Sequence, residues 1–163
     1  MSSSGEEEME ELIARAKAFA DGLTDAAASD DLVVTGSVRS DEPDAITIAF
    51  DGSDAHYLVG RHGQALDALQ LIATFAVRPG RGGPRVRITL DADGYRAKRA
   101  ATLCKMAQEL ADEVKATGQE AVLDPLSPLE RRIVHTALVD DPGVTTYSEG
   151  EEPERYIIIS PAT

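Results

Sequence analysis

The stretch Leu58–Gln70, LVGRHGQALDALQ, decides the fold of the first half of the chain, because two glycines frame a short cationic turn. A short helical segment stops before Gly60, and a longer helix begins at Gly63. The glycines remove side chains where a sugar–phosphate backbone must come close, and the N–H groups at the start of the longer helix favour an anion. Arg61 and His62 add side-chain donors. The turn is therefore a candidate phosphate site, with a plain helix corner capped by glycines as the alternative.

The elements on either side of this turn predict a mixed α+β fold in the order αββααβ, followed by a long helix and then βαββ. After an acidic segment, residues 1–8, which we expect to be disordered, apolar residues at helical spacing predict a helix from Met9. Apolar patterns predict strands near 32–38, 46–50, 85–90, 120–123, 144–147 and 156–159. The density of Gly and Pro predicts a loop at 78–84, and helical spacing predicts helices at about 93–117 and 128–139.

Charge is distributed unevenly along the 163 residues. The chain carries 16 Lys and Arg against 29 Asp and Glu, which gives a formal net charge of −13. Residues 1–54 have a net charge of −11 and residues 106–163 of −8, whereas residues 55–105 have a net charge of +6. An acidic protein repels phosphate polymers on average. The basic segment inside it is therefore a local anion-binding candidate, and it contains the glycine turn.

A second group of cations lies on the helix whose start is predicted by Ser127 as N-cap and Glu130 as third helical residue. At 100° per residue, Arg131, Arg132 and His135 lie opposite an apolar arc. That arc consists of Leu129, Ile133, Val134, Ala137 and Leu138. Arg131 and His135 are one turn apart, so we expect them to meet on the exposed face, where neighbouring cations favour an external anion. A solvated basic helix face is the alternative.

Several segments together resemble the Jag, or SpoIIIJ-associated, family of bacterial RNA-binding proteins. Residues 58–70 are similar to the glycine loop and second helix of that family's KH domain, and GYRAKR at 94–99 is similar to the start of its linking helix. ERRIVH at 130–135, VTTYSEG at 144–150 and Arg155 resemble the R-three-H domain, which binds single-stranded nucleic acid. The order and spacing of these segments carry the resemblance.

The resemblance implies an α+β chain with a type II KH domain at 9–92, after the acidic tail 1–8, and a small α/β R-three-H domain at 93–163, joined by a long helix. Its expected nucleic-acid contacts are Gly60, Arg61, His62, Gly63, Arg96, Lys98, Arg99, Arg131, Arg132 and His135. His62 stands where the family usually has a second basic residue, which weakens phosphate binding near neutral pH. Residues 1–28 are too short for the N-terminal Jag domain of many members, so the resemblance does not carry over the functions tied to that domain.

The function that the resemblance implies is non-enzymatic binding of single-stranded RNA, with single-stranded DNA as an alternative ligand. Family members of this kind act as RNA chaperones or post-transcriptional regulators that affect cell elongation and envelope growth. The implied protein partner is a second small KH protein. An alternative from another class is a protein-interaction scaffold on a KH fold with weak or no RNA binding, which the acidic net charge favours.

Base contacts in a KH groove come from aliphatic side chains. The residues beside the loop that could supply them are Leu58, Val59, Leu66 and Ile88. Each of these residues is also suited to a place in the core. Only 4% of residues are aromatic, and most of them fall on predicted apolar faces or strands, so we expect them to serve the core. A binder that stacks bases on surface aromatics is therefore disfavoured.

The sequence does not contain the residue patterns that several other classes of function require. Cys104 is the single cysteine, which excludes an intrachain disulfide and a multi-thiolate zinc site, and no Ser/His/Asp, Walker or dinucleotide signature appears. We therefore expect no enzyme activity, no cofactor and no metal. The longest apolar run, 68–77, is too short to cross a bilayer, and the acidic start is unlike a secretory signal. We expect a cytoplasmic protein without stable membrane insertion.

Overall fold

The computed structural model describes residues 3–78 and 86–162, and the chain divides into two compact units, Met1–Arg96 and Ala97–Thr163. The division falls in the first turn of helix α3, Tyr95–Thr117, slightly beyond the boundary expected between residues 92 and 93. Each unit combines helices with a three-stranded sheet, which confirms the mixed α+β class. Residues 79–84 of the expected loop lie outside the described residues.

The first unit surrounds a mixed sheet. Its elements are α1 Ser3–Ser29, β1 Thr35–Glu42, β2 Ala45–Asp51, two short 3-10 helices at Ala55–Leu58 and Arg61–Gly63, α2 Gln64–Val77 and β3 Arg87–Ala92. The strand order is β1-β2-β3, with β1 antiparallel to β2 and β2 parallel to β3. A parallel pair needs a crossover connection, and the 3-10 helices with α2 supply it. The alternating face of β2 buries Ile46, Ile48 and Phe50 completely.

Helix α1 starts earlier than expected. It begins at Ser3, whereas the acidic composition of residues 1–8 predicts a disordered tail. Acidic side chains in the first turn, such as Glu6, are stabilised by the positive end of the helix dipole. The acidic residues whose composition suggests disorder are therefore favourable at a helix N-terminus. The amphipathic face from Met9 onward packs that helix on the core.

Strand β1 starts later than expected, at Thr35 rather than at residue 32. The N–H of Leu32 donates to the carbonyl of Ala27 at 3.1 Å, and the N–H of Val33 donates to Oδ2 of Asp54 at 2.8 Å. Because these donors are used outside the sheet, the apolar run at 32–34 is a connection between α1 and the sheet.

The second unit contains α3, β4 Ala121–Val122, α4 Pro128–Leu138, β5 Val144–Glu149 and β6 Tyr156–Pro161. Its strand order is β4-β6-β5, and both pairs are antiparallel. Ile157 and Ile159 of the central strand are fully buried against α3 and α4. Helix α4 begins with a reciprocal cap, as its sequence predicts. The Ser127 hydroxyl accepts from the Glu130 N–H at 3.3 Å, and the Glu130 carboxylate accepts from the Ser127 N–H at 3.0 Å.

Candidate nucleic-acid interface

The glycine turn of the first unit adopts a backbone that requires its glycines. Gly60 has φ 68°, His62 has φ 52° and Gly63 has φ 80°, so three of its four residues are left-handed. A Cβ on Gly60 would lie 2.6 Å from the Cβ of Ala65, and a Cβ on Gly63 would lie 2.8 Å from Cε1 of Tyr95. Both contacts are closer than carbon atoms tolerate. The turn is therefore a packed structure whose shape depends on both glycines.

The two central residues of this turn point their side chains to solvent. Arg61 and His62 are exposed, whereas Gly63 is buried. Arg61 takes part in none of the ion pairs formed within residues 3–78 and 86–162. Its charge is therefore available to an external anion. The N–H of Leu66 donates to the carbonyl of Val59 at 3.2 Å, which closes the turn behind these side chains.

Arg96 and Arg99, at the start of α3, each have a partner inside their own unit. In the first unit, the Arg96 guanidinium donates to the Leu90 carbonyl at 2.8 Å and to Asp67 at 3.1 Å. In the second unit, Nε of Arg99 donates to Glu130 at 2.7 Å. Lys98 is exposed. The charges of Arg96 and Arg99 are thus largely neutralised by folding contacts, which leaves less charge for the expected phosphate track.

Arg131 is buried, so its predicted place on an exposed helix face is wrong. Only 8% of its surface is accessible. Its guanidinium donates to the carbonyls of Leu126 and Arg155 and pairs with the carboxylate of Glu152. A helical wheel considers only α4 itself, whereas the segments before α4 and before β6 cover this side of the helix. Leu129, expected on the buried arc, is instead 54% exposed.

Arg132 and His135 remain on accessible surface of the second unit. Arg132 is exposed, and His135 is half-buried with Nδ1 in a hydrogen bond to the Thr146 hydroxyl. Arg131 and His135 therefore bond to different elements instead of forming the expected surface pair. A groove of about 490 Å³ runs beside the histidine. Its lining residues are His135, Thr136, Leu138, Val139, Val144, Thr145 and Thr146.

Sequence reasoning missed three features, one buried and two on the surface. Nε of Arg155 is buried without a hydrogen-bond partner in the described part of the chain, although Arg155 was noted only as part of the family pattern. Tyr57 is exposed three residues before Gly60, although most aromatic residues were expected to serve the core. Leu71, Ile72 and Phe75 of α2 are also exposed, although Ile72 was expected to face the core. Apolar character alone gave no signal that would separate these positions from core positions.

Two further features of the described residues concern metal binding and membranes. Among residues 3–78 and 86–162, no cluster of three or more His, Cys, Asp or Glu side chains could hold a metal ion. Within the same residues, no helix combines the length and the apolar character needed to span a membrane.

The second unit is similar to a known nucleic-acid-binding module. Residues 101–161 match the R-three-H domain, the module that the sequence of this half of the chain resembles. The match covers most of α3 and all of the elements from β4 to β6.

Several relatives carry the name RNA-binding protein KhpB. The relative from Lactiplantibacillus plantarum (strain WCFS1) is 40% identical over 114 residues, which are 70% of this chain and 35% of the relative. The relative from Clostridium symbiosum is 40% identical over 115 residues, 71% of this chain and 51% of the relative. The relative from Bacillus subtilis (strain 168) is 37% identical over 111 residues, 67% of this chain and 53% of the relative. The matched segment spans between about a third and about half of these relatives.

Proposed function

The chain is a homologue of the Jag-like KhpB proteins and carries an R-three-H domain, and on this premise we propose that it is a non-enzymatic protein that binds single-stranded RNA. The observation that carries the proposal is the glycine turn, which displays Arg61 and His62 on a backbone that only glycines at 60 and 63 permit. A rigid turn that exposes two donors and lacks an acidic partner for its arginine suits a phosphate backbone.

We assign the first unit to the type II KH fold. This assignment is supported by the order α1-β1-β2, then the glycine turn, then α2-β3, and by the sheet in which β2 is parallel to β3. In KH domains the G-x-x-G loop clamps the backbone of about four nucleotides. Here the turn would hold phosphates with Arg61, His62 and the N–H groups at the start of α2.

We propose Arg132 and His135 as the contacts of the second unit, with Arg131 as a residue that positions the helix. Arg132 is exposed, and His135 borders the groove beside β5, so both can reach a strand laid across this face. Arg131 acts instead through the segments it holds, because its donors are used by Leu126, Arg155 and Glu152. Lys98 is exposed in the first turns of α3 and is a further candidate contact of this unit.

The double variant Arg61→Asp with His62→Asp tests this function. Negative charge at both phosphate contacts should lower affinity for a labelled single-stranded RNA by at least about tenfold, since each charged hydrogen bond contributes about 1.5–3 kcal/mol. Asp tolerates the left-handed backbone at position 62, so the thermal transition should not change. Fluorescence anisotropy across a salt series should give a log–log slope of about −0.7 per phosphate contact.

A matched control is Lys17→Asp with Ala18→Asp, which changes the charge equally at two exposed neighbouring positions of α1. The control should keep most of the affinity of the original chain. Equal losses in both variants would mean that net charge, and not the glycine turn, determines binding. A wild-type chain without salt-dependent affinity would contradict RNA binding itself.

A specific observation favours a protein partner as well. Leu71, Ile72 and Phe75 form an apolar stripe on α2 and are between 55% and 66% exposed. Such a stripe suits the second small KH protein that the family resemblance implies, or the scaffold function considered as an alternative. Phe75→Glu should abolish co-purification of that partner and leave RNA affinity within about twofold, because the change adds only one negative charge away from the turn.

The resemblance implies cellular roles in addition to RNA binding. We propose that the chain acts in the cytoplasm as an RNA chaperone or post-transcriptional regulator of cell elongation or envelope growth. Crosslinking and sequencing of its bound RNA would test this role. Enrichment of transcripts for envelope enzymes is the expected result, and a transcriptome-wide background would contradict it.

A further inference from the structure

None of the four aliphatic residues expected to line a groove beside the glycine turn is exposed. Val59, Leu66 and Ile88, three of the four residues expected to form an aliphatic groove, are buried in the core of the first unit. Leu58 is partly buried in the same core. These four residues therefore offer little surface to the bases of a strand whose phosphates bind Arg61 and His62.

Tyr57 is the apolar side chain that the fold leaves exposed beside the turn. It is 61% exposed, and its hydroxyl forms no hydrogen bond within the described residues. It lies in the 3-10 helix Ala55–Leu58, where residues three apart share a face. Gly60 follows three residues later, after this helix has ended at Leu58. Three consecutive residues span at most about 11 Å between Cα atoms, so the exposed ring belongs to the segment that leads into the proposed phosphate contacts.

The ring of Tyr57 has contacts within its own short helix and with the residues just before it. It packs on the His56 ring with centroids 4.3 Å apart and planes tilted by 34°. Nδ1 of His56 lies 3.0 Å from the Ser53 carbonyl, and since a carbonyl only accepts, this nitrogen carries the proton and donates. The Tyr57 N–H donates to the Asp54 carbonyl at 3.0 Å. An aromatic surface fixed in this way loses little conformational entropy when a ligand binds.

We propose that Tyr57, supported by His56, stacks a nucleobase of the strand whose phosphates bind the glycine turn. The proposal rests on the RNA binding proposed above and adds the surface that receives a base. Stacking on an aromatic ring is tolerant of sequence because every base presents a π-face. The first unit would therefore combine phosphate contacts at the turn with a base contact that does not select strongly among sequences.

Affinity for a single-stranded RNA decamer tests the proposal with three variants of Tyr57. Tyr57→Ala should weaken binding about tenfold, within the range found for removing one stacked base contact. Tyr57→Leu, which keeps an apolar side chain without an aromatic face, should show most of that loss, and Tyr57→Phe should bind like the original chain. Phe75→Ala on α2 is the matched control, since Phe75 is an equally exposed aromatic residue, and it should leave affinity unchanged.

A decamer series with one abasic position moved along the strand gives a second measurement. If Tyr57 stacks a base, one abasic position should weaken binding to the original chain and have no further effect on Tyr57→Ala. Full affinity of Tyr57→Ala for the unmodified decamer, together with a loss in the Arg61→Asp/His62→Asp variant, would overturn the stacking proposal and leave RNA binding intact. Absence of binding by the original chain would overturn both.

Discussion

Replacing Arg131 by alanine should unfold the second unit more readily instead of removing an RNA contact. The Arg131 guanidinium is buried and donates to the Leu126 carbonyl, to the Arg155 carbonyl at 3.4 Å and to the Glu152 carboxylate. The Arg155 carbonyl also accepts from the Leu126 N–H at 3.1 Å and keeps that partner in the variant. The main loss therefore falls on the Leu126 carbonyl and on the ion pair.

The magnitude follows from these contacts. A buried acceptor left without its charged donor costs about 1–3 kcal/mol. The Glu152 side chain is 50% exposed, so solvent screening reduces the contribution of the ion pair to about 1 kcal/mol or less. Together these terms give a loss of about 2–4 kcal/mol in the free energy of unfolding of the second unit. For a unit of this size the midpoint temperature should fall by at least about 8 °C.

Hydrogen exchange measured by mass spectrometry separates the two units, because peptides from 97–162 report on the second unit alone. Arg132→Ala is the matched control at the neighbouring exposed position, and its effect on stability should lie within about 0.5 kcal/mol. Arg132→Ala should lower RNA affinity at unchanged stability. If Arg131→Ala were as stable as Arg132→Ala and still lost RNA affinity, Arg131 would contact RNA directly and the burial argument would be wrong.

Three further predictions concern other contacts. Gly63→Ala should lower the midpoint temperature of the first unit, because its Cβ would meet the Tyr95 ring at 2.8 Å on a left-handed backbone, and thermal melts of this variant would detect the strain. Ser127→Ala should destabilise the second unit by about 1 kcal/mol through loss of the N-cap, measured by urea titration. The Lys115 ammonium and then the Gly143 N–H hold the pKa of Asp141 below its ordinary value of 3.8, so the stability this carboxylate supplies is present above that pH and is lost as pH falls through the lower folded pKa. Asp141→Asn should flatten that acid dependence in melts between about pH 2 and 5.

The sequence predicted the parts of the fold that local signals determine. Alternation located β2, the Ser127–Glu130 pattern located the start of α4, and the glycines located the turn. These three predictions succeed because each depends on neighbouring residues alone. Side chains of a strand alternate between its two faces, an N-cap acts on the first helical turn, and glycine permits a positive φ at its own position. The side-chain exposure at the turn also agrees with its sequence interpretation, since Arg61 and His62 are exposed.

The errors concern burial, which depends on distant segments. Arg131 is covered by residues near 126 and 152–155, and no helical period encodes that cover. Most aromatic residues were expected to serve the core, yet Tyr57 and Phe75 are exposed, and the core of the first unit is completed by small residues of α1 and α2 such as Ala16 and Ala73. Hydrophobicity predicts which residues favour burial, but the space available is set by the tertiary arrangement.

The left-handed backbone at His62 limits which side chains this turn can carry without strain. An arginine there would carry a permanent charge, but histidine, asparagine and aspartate enter this conformation more readily than long aliphatic side chains do. The substitution to arginine would add about 1 kcal/mol of conformational strain and one electrostatic attraction to a phosphate. For the phosphate contact proposed at this position, the charge gained is therefore offset in part by backbone strain.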